Sequence, residues 1–152
     1  MEDITKEVKA VGKMQRIILD TNVLVSALIQ RNFPYLIISE LFIEDKVTLC
    51  ISDELMSEYY EVLNRKKFAK YPDFVNAAEK LLAIVETKGA KFYPKTKVAL
   101  ISDQDDNRLL ELAEESKANY LITGNSNDFT MDKYKKTKIV TPKEYWEKFQ
   151  PK

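Results

Sequence analysis

The stretch RIILDTNVLVSAL, residues 16–28, decides the fold of this 152-residue chain. Its apolar residues 17–19 have the pattern of a short buried strand, the strand ends at Asp20, and helical spacing begins at once. An apolar run that ends in an acid is typical of open α/β sheets, which deliver polar side chains to the crevice beyond the carboxyl ends of their strands. Asp is also a common N-cap. The stretch alone therefore leaves two roles for Asp20, a functional acid in a crevice or a cap of the next helix.

The composition is that of one globular domain. A chain of 152 residues, 45% of them hydrophobic and 32% charged, can bury its own core. The 24 basic and 24 acidic residues cancel, which argues against a protein that coats nucleic acid without selectivity. We expect a single domain over residues 14–152, preceded by an N-terminal extension at residues 1–13.

The absence of His and the presence of a single Cys restrict the chemistry. Imidazole and thiolate metal sites, His-dependent triads and internal disulfides are excluded, so catalysis would have to use carboxylates. Cys50 lies in an apolar run and is expected to be buried. No run approaches the roughly 18 apolar residues of a membrane span, and residues 1–13 lack the apolar centre of a secretory signal. These features predict a cytoplasmic protein without a membrane partner.

Apolar strand patterns alternate with helical ones along the chain. After the opening strand, strands are predicted at residues 47–52, 90–93, 119–123 and 138–141, in the order β, α, α, β, α, α, β, α, β, β, α. This alternation predicts a mainly parallel central sheet covered on both faces, that is, a three-layer α/β/α sandwich. Because Pro94 follows the third strand, that strand is expected near an edge of the sheet.

Acids and amides gather where the apolar segments end. Asp20, the acids of residues 103–106, and Asn125 with Asp128 each follow such a segment, and the carboxyl ends of parallel strands share one rim. Glu58 is predicted on a helix that starts at this rim, at the margin of its apolar face, where it could also be a solvated surface residue. Oxygen-only ligands suit Mg²⁺ or Mn²⁺, and clustered carboxylates raise one another's pKa unless a cation neutralises them.

Two other patterns in these segments are rejected or ranked low. Residues 103–114 match the acid spacing of a calcium-binding loop, but Arg108 stands where that loop requires Gly for its turn. Asp20 also resembles the nucleophile of phosphatases that carry a second Asp two residues later. Here that second position is Asn22, so we rank this interpretation low.

Four motifs in the right order resemble the PIN domain family. They are ILDTNV at residues 18–23, SEYYEVL at 57–63, DQDDNRLLELA at 103–113 and YLITGN at 120–125. The resemblance runs from about residue 14 to residue 149, and the most similar branch is the VapC-like toxins of toxin–antitoxin pairs. It implies a PIN-like α/β/α fold and a metal-dependent endoribonuclease with Mg²⁺ or Mn²⁺ as cofactor. It also implies an RNA substrate, a cognate antitoxin protein as partner, and a homodimer.

Carried over position by position, the resemblance assigns roles to particular residues. Asp20, Glu58 and Asp106 match the three catalytic acids and are the expected metal ligands. The expected supporting residues are Thr21, Asn22, Asp103, Asp105, Thr123 and Asn125.

The chain departs from the family pattern at Asn125, where many members carry a fourth Asp. An amide brings no charge, so one metal position is expected to be weakened. Asp128, three residues later, is a candidate replacement and completes the expected set of metal ligands.

The basic residues are candidates for binding the RNA backbone, or they form an ordinary solvated surface. The candidates are Arg31, Arg65, Lys66, Lys67 and Lys70, with Lys133, Lys135 and Lys136 in a later loop. The main functional alternative is a catalytically weak or inactive PIN-like module that binds RNA or protein. A nucleotide-binding α/β protein is a third alternative, but the chain has only three Gly and no Gly-rich phosphate loop.

Overall fold

A computed structural model describes residues 14–125 and 129–152 of the chain. The predicted N-terminal extension and Asp128 lie outside the described residues. The described part contains a six-stranded sheet. Its strands are β1 (Arg16–Leu19), β2 (Thr48–Ile51), β3 (Ala90–Lys91), β4 (Tyr120–Ile122), β5 (Lys133–Tyr134) and β6 (Thr137–Val140).

Helices connect the strands and cover the sheet. They are α1 (Thr21–Ile29), α2 (Phe33–Leu36, continued by π-helical turns over Ile37–Phe42), α3 (Asp53–Leu63), α4 (Phe74–Lys88), α5 (Gln104–Ser116) and α6 (Pro142–Glu144, continued by Tyr145–Phe149). The predicted start of α6 is confirmed, because Thr141 and Glu144 form a capping box. Within residues 14–125 and 129–152, no helix has both the length and the apolar character needed to span a membrane.

The strand order is β3-β2-β1-β4-β6-β5, and all neighbours are parallel except β5 and β6. The predicted three-layer α/β/α fold with a mainly parallel central sheet is therefore confirmed. The edge position of the third strand is confirmed as well. Burial explains why the central strands are apolar throughout: Ile17, Ile18 and Leu19 of β1 are all fully buried beneath the helices.

Strand β5 was not predicted. It forms a β-hairpin with β6 through a two-residue turn at positions 135 and 136, and Tyr134 pairs with Thr137. Lys135 in the turn adopts a left-handed conformation with φ of 52°. Such turns usually contain Gly or Asn. This turn contains neither residue, so the hairpin could not be predicted from its sequence. The side chain of Lys135 forms an ion pair with Glu114 of α5, which ties the turn to the body of the domain.

The core reaches directly beneath the end of β1. Tyr59 of α3 is fully buried, and its hydroxyl donates a hydrogen bond of 2.5 Å to the carbonyl of Leu19. Cys50 of β2 is buried as expected. The last residue of β1 is thus fixed from below, so the position of the next residue, Asp20, is set by core packing.

Candidate active site

The sheet creates a crevice between β1 and β4. From β1 the chain proceeds to β2 and β3 on one side, and it returns to β4, β6 and β5 on the other. Ligand sites in open α/β sheets form outside the carboxyl ends of strands at such a switch point. Asp20 directly follows β1 and Thr123 directly follows β4, so both residues lie at this position.

Asp20 occupies the N-cap position of α1, but its carboxylate makes no cap hydrogen bond. Instead, the hydroxyl of Thr123 donates to Asp20 Oδ2 at 2.7 Å, and the backbone N–H of Asn125 donates to the same hydroxyl at 3.1 Å. The side chain is 9% exposed. Burial raises the pKa of Asp20 above 3.8, against the lowering effect of Thr123 and nearby backbone amides, and the charge of Asp103 raises it further. Asp20 is therefore a buried acid held in the crevice by β4.

Glu58 reaches the same crevice from α3. The Ser52 hydroxyl caps this helix by accepting from the N–H of Leu55 at 3.1 Å, which fixes its start at the rim. The hydroxyl of Thr21 donates to Glu58 Oε2. Burial raises the pKa of Glu58 from 4.5 to about 7, and the neighbouring carboxyls of Asp105 and Asp20 add to the rise.

The acids of residues 103–106 begin helix α5. Asp103 is its N-cap and accepts from the N–H of Asp105 at 2.8 Å. The preceding loop is pinned by buried Asn107, whose Oδ1 accepts from the N–H groups of Leu100 and Ile101 at 3.1 and 2.9 Å. Its Nδ2 donates to the Ile101 carbonyl at 2.7 Å. Asn107 was not predicted as a site-supporting residue, and its one sequence signal was an amide on the apolar side of α5.

These segments together line one cleft of about 220 Å³. Its lining residues are Asp20, Thr21, Asn22, Glu58, Glu61, Val62, Arg65, Asp103, Asp105, Asp106 and Asn125. All the predicted acids that the structure describes are therefore brought together. Across residues 14–125 and 129–152, however, no three acid side chains lie close enough together to bind one metal ion in their present positions.

Only one of the predicted RNA-binding cations lines this cleft. Arg65 donates from Nε and Nη2 to the carboxylate of Glu61, at 3.2 and 2.9 Å. Arg31 instead stacks on Tyr35, 5.1 Å from the ring centroid. The remaining predicted residues are not among the cleft lining: Lys66, Lys67, Lys70, Lys133, Lys135 and Lys136. Lys133 and Lys136 line a separate surface pocket with Asn119, at the amino end of β4.

Two residues at the cleft were missed by the sequence reasoning. Glu61 was not among the predicted site residues, yet it lines the cleft beside Arg65. Arg108 of α5 lines an adjoining pocket with Glu58 and Asp105, and its Nη1 is 3.3 Å from Asp105 Oδ1. The usable signal for Glu61 was its spacing of three residues from Glu58, which places the two on one side of α3.

Comparison with known proteins agrees with this architecture. The PIN domain matches residues 16–127 of the chain. The chain is also 32% identical over 143 residues to the uncharacterized protein MJ1680 of Methanocaldococcus jannaschii, a match that covers 89% of this chain and 92% of that protein. No solved structure gives a significant match.

Proposed function

This chain belongs to the PIN domain family and has its nuclease-like fold, and on that premise we propose that it is an Mg²⁺- or Mn²⁺-dependent endoribonuclease. One observation carries the proposal: Asp20, Glu58 and Asp106, which come from three distant segments, line a single cleft at the switch point of the sheet. Burying an ionised acid costs folding free energy, and acids with perturbed pKa values cluster at functional sites.

The residues fit a hard divalent cation by donor chemistry. The cleft offers carboxylate and amide oxygens and no sulfur or imidazole. Asp20 and Glu58 both have raised pKa values, chiefly because they are buried and also because other carboxyls lie near them. Asp103 and Asp105 are exposed at the cleft, where Asp103 accepts from the N–H of Asp105 and Asp105 pairs with Arg108. A bound cation would polarise the scissile phosphate and lower the pKa of the attacking water.

The protein's own groups would hold the reacting atoms. Asp20 and Asp106 are the proposed ligands, and Glu58 either joins them or accepts a proton from the attacking water. The water oxygen would bond to phosphorus as the P–O bond to the leaving nucleoside breaks. The departing nucleoside oxygen would take up a proton from solvent water. Thr123 and Thr21 act indirectly in this scheme, because their hydroxyls orient Asp20 and Glu58.

The corner of the cleft at Asn125 is proposed to be weaker. Its side chain supplies an amide where a carboxylate would bring charge, and Asn22 is also an exposed amide on the cleft. Asp128 remains our proposed replacement ligand. An Asn125→Asp variant should then lower the Mg²⁺ concentration needed for half-maximal cleavage, whereas an unchanged requirement would argue against a metal position at this corner.

The test of the enzymatic proposal is cleavage of a mixed-sequence RNA with Mg²⁺ or Mn²⁺. We expect cleavage by the wild type, its loss in EDTA, and a loss of about 100-fold or more in the Asp20→Asn variant. Lys46→Gln, an exposed change outside the cleft lining, is the matched control. Equal rates for wild type and Asp20→Asn would reject the proposal.

A second candidate is a PIN-like module that binds RNA or protein with little or no catalysis. The observation that favours it is the absence, in the described parts of the chain, of three acids already close enough for one ion. RNA binding by the wild type without metal-dependent cleavage would support this candidate over the enzyme.

We propose that the biological role is that of a cytoplasmic toxin in a toxin–antitoxin pair, acting as a homodimer. The support is the resemblance of its motifs to VapC-like toxins. Expression of the wild type should arrest growth, and Asp20→Asn should not. Co-expression of a small protein encoded beside this gene should restore growth, and sedimentation analysis should give twice the 17.7 kDa chain mass. Normal growth with active enzyme would reject the toxin role alone.

A further inference from the structure

Two arginines lie on opposite sides of Glu58. Glu58 borders two adjoining pockets: the acid cleft, which extends to Arg65, and a smaller pocket with Glu54 and Leu55 of α3, which extends to Arg108. The pocket lined by Arg108 meets α3 at Glu54 and Leu55, before Glu58, whereas the cleft lined by Arg65 extends past Glu58 to the residues after it.

The spacing of the two arginines suits an RNA strand that crosses the cleft. Arg65 lies just beyond the end of α3, whose last residue, Leu63, is about 7–8 Å from Glu58 along the helix axis. Arg108 approaches from α5 near the first half of α3. An anionic backbone laid across the acids would therefore meet a cation before and after them. Those cations would compensate for the repulsion between phosphates and the carboxylates of the cleft.

Each arginine is held by an exchangeable partner. Arg65 pairs with Glu61, and the two side chains are 47% and 61% exposed. Arg108 pairs with Asp105, and these are 56% and 58% exposed. Exposed ion pairs contribute little to stability, so a phosphate can replace the carboxylate at small cost. The planar guanidinium also matches a phosphate with two parallel hydrogen bonds.

We propose that Arg65 and Arg108 bind two backbone phosphates of an RNA strand, one on each side of the acids. Glu61 and Asp105 hold the arginines in place until RNA arrives, and the phosphates then replace these carboxylates. The inference rests on the proposed function, because it takes RNA as the ligand, but it concerns binding and can be tested apart from hydrolysis.

The first experiment measures binding of a fluorescent single-stranded RNA to Asp20→Asn protein by anisotropy over a series of KCl concentrations. Arg65→Gln and Arg108→Gln should each weaken binding about tenfold at low salt. Each should also reduce the slope of log affinity against log salt by about 0.7, the value for one phosphate contact on a single strand. Lys46→Gln removes one positive charge outside the cleft lining and should leave both quantities unchanged.

Two further variants separate a phosphate contact from a structural role. Arg65→Lys keeps the charge but loses the paired hydrogen bonds, so it should retain the wild-type salt slope with an intermediate affinity. Glu61→Gln removes the competing carboxylate and should strengthen binding about threefold. If Glu61→Gln weakened binding instead, the exchange of Glu61 for phosphate would be wrong.

The decisive measurement replaces single RNA phosphates with uncharged methylphosphonates. In double-mutant cycles, Arg65→Gln should become insensitive to neutralisation at one phosphate, and Arg108→Gln at another on the opposite side of the cleavage position mapped with wild-type enzyme. Wild-type cleavage without these couplings would overturn the arginine proposal alone. Couplings to two separate phosphates without any cleavage would reject the enzymatic function and leave the binding assignment standing. Coupling of both arginines to the same phosphate would also overturn the arrangement.

Discussion

Replacing Thr123 by Val tests whether the hydroxyl on β4 exists to hold Asp20. The side chain is fully buried and Val has nearly the same shape, so the change removes two hydrogen bonds with little change in packing. The lost bonds are the one donated to Asp20 Oδ2 at 2.7 Å and the one accepted from Asn125 N–H at 3.1 Å. The main effect should therefore be electrostatic and should depend on the charge of Asp20.

The expected loss in the free energy of unfolding at pH 7.5, without metal, is about 2 kcal/mol, because hydrogen bonds to charged groups contribute about 1.5–3 kcal/mol. For a domain of this size that corresponds to a fall in Tm of about 4–8 °C. The pKa of folded Asp20 lies above 3.8 because of burial, so ionisation of Asp20 opposes folding. The stabilisation that protonated Asp20 contributes is complete below pH 3.8, its ordinary pKa. This stabilisation is lost as the pH rises through the folded pKa. Loss of the Thr123 hydroxyl raises that pKa further, so the defect should grow with pH.

Urea denaturation in EDTA at pH 4 and pH 7.5 measures this difference. The matched control is Thr137→Val, since Thr137 is also buried in a strand but donates to the neutral carbonyl of Ala118 at 2.7 Å. It should cost about 1 kcal/mol at both pH values. A cycle of Thr123→Val with Asp20→Asn should give a coupling energy of about 1–2 kcal/mol at pH 7.5.

A defect of equal size at both pH values, or a coupling with Asp20→Asn below about 0.5 kcal/mol, would refute the reasoning. Thr123 would then be an ordinary buried hydroxyl. Asp20 would owe its position to the packing of β1 alone.

Three further predictions concern the neighbouring groups. Burial raises the folded pKa of Glu58 from 4.5 to about 7, so its ionisation opposes folding and the metal-free stability of the wild type should decline over that pH range. Glu58→Gln should flatten this decline. A wild-type profile that does not decline there would contradict the prediction. Asn107→Ala should cost about 3 kcal/mol in urea denaturation, because it leaves buried backbone groups of Leu100 and Ile101 unpaired; a loss below about 1 kcal/mol would mean that the loop is held by other contacts. Saturating Mg²⁺ should raise the Tm of the wild type in a thermal scan and not that of Asp20→Asn, so an equal rise in both would place the ion elsewhere.

The order and class of the elements could be predicted because each depends on local pattern. Residues 17–19 are apolar on both faces, which a strand tolerates only in the middle of a covered sheet, and β1 does lie between β2 and β4. The convergence of Asp20 with Asn125 followed from the common direction of the parallel strands β1 and β4, whereas the acids of α5 follow a loop and no strand. Strand β5 escaped prediction because its turn contains neither Gly nor Asn and places Lys135 in a left-handed conformation.

The sequence could not assign partners to the polar side chains of the cleft. Asp103, Asp105 and Asp106 are neighbours in the chain, and their separate environments depend on how α5 meets α3. Asp105 raises the pKa of Glu58, whereas Asp103 caps α5 and raises the pKa of Asp20. Such effects act between residues far apart in sequence, so a local pattern carries no record of them.

By itself, the sequence determined that this protein is an α/β domain whose first strand ends at an acid, and that its chemistry must use carboxylates. The pattern of apolar residues establishes the first conclusion, and the absence of His with a single Cys establishes the second. Only the tertiary structure decided that the Asp20 carboxylate accepts a hydrogen bond from Thr123, the residue that follows the adjacent strand β4. It alone placed Arg65 and Arg108 on either side of Glu58. The physical reason is that side-chain hydrogen bonds and charge interactions act over a few ångströms in space between residues that can be distant in the chain, as Asp20 and Thr123 are at a separation of 103 residues.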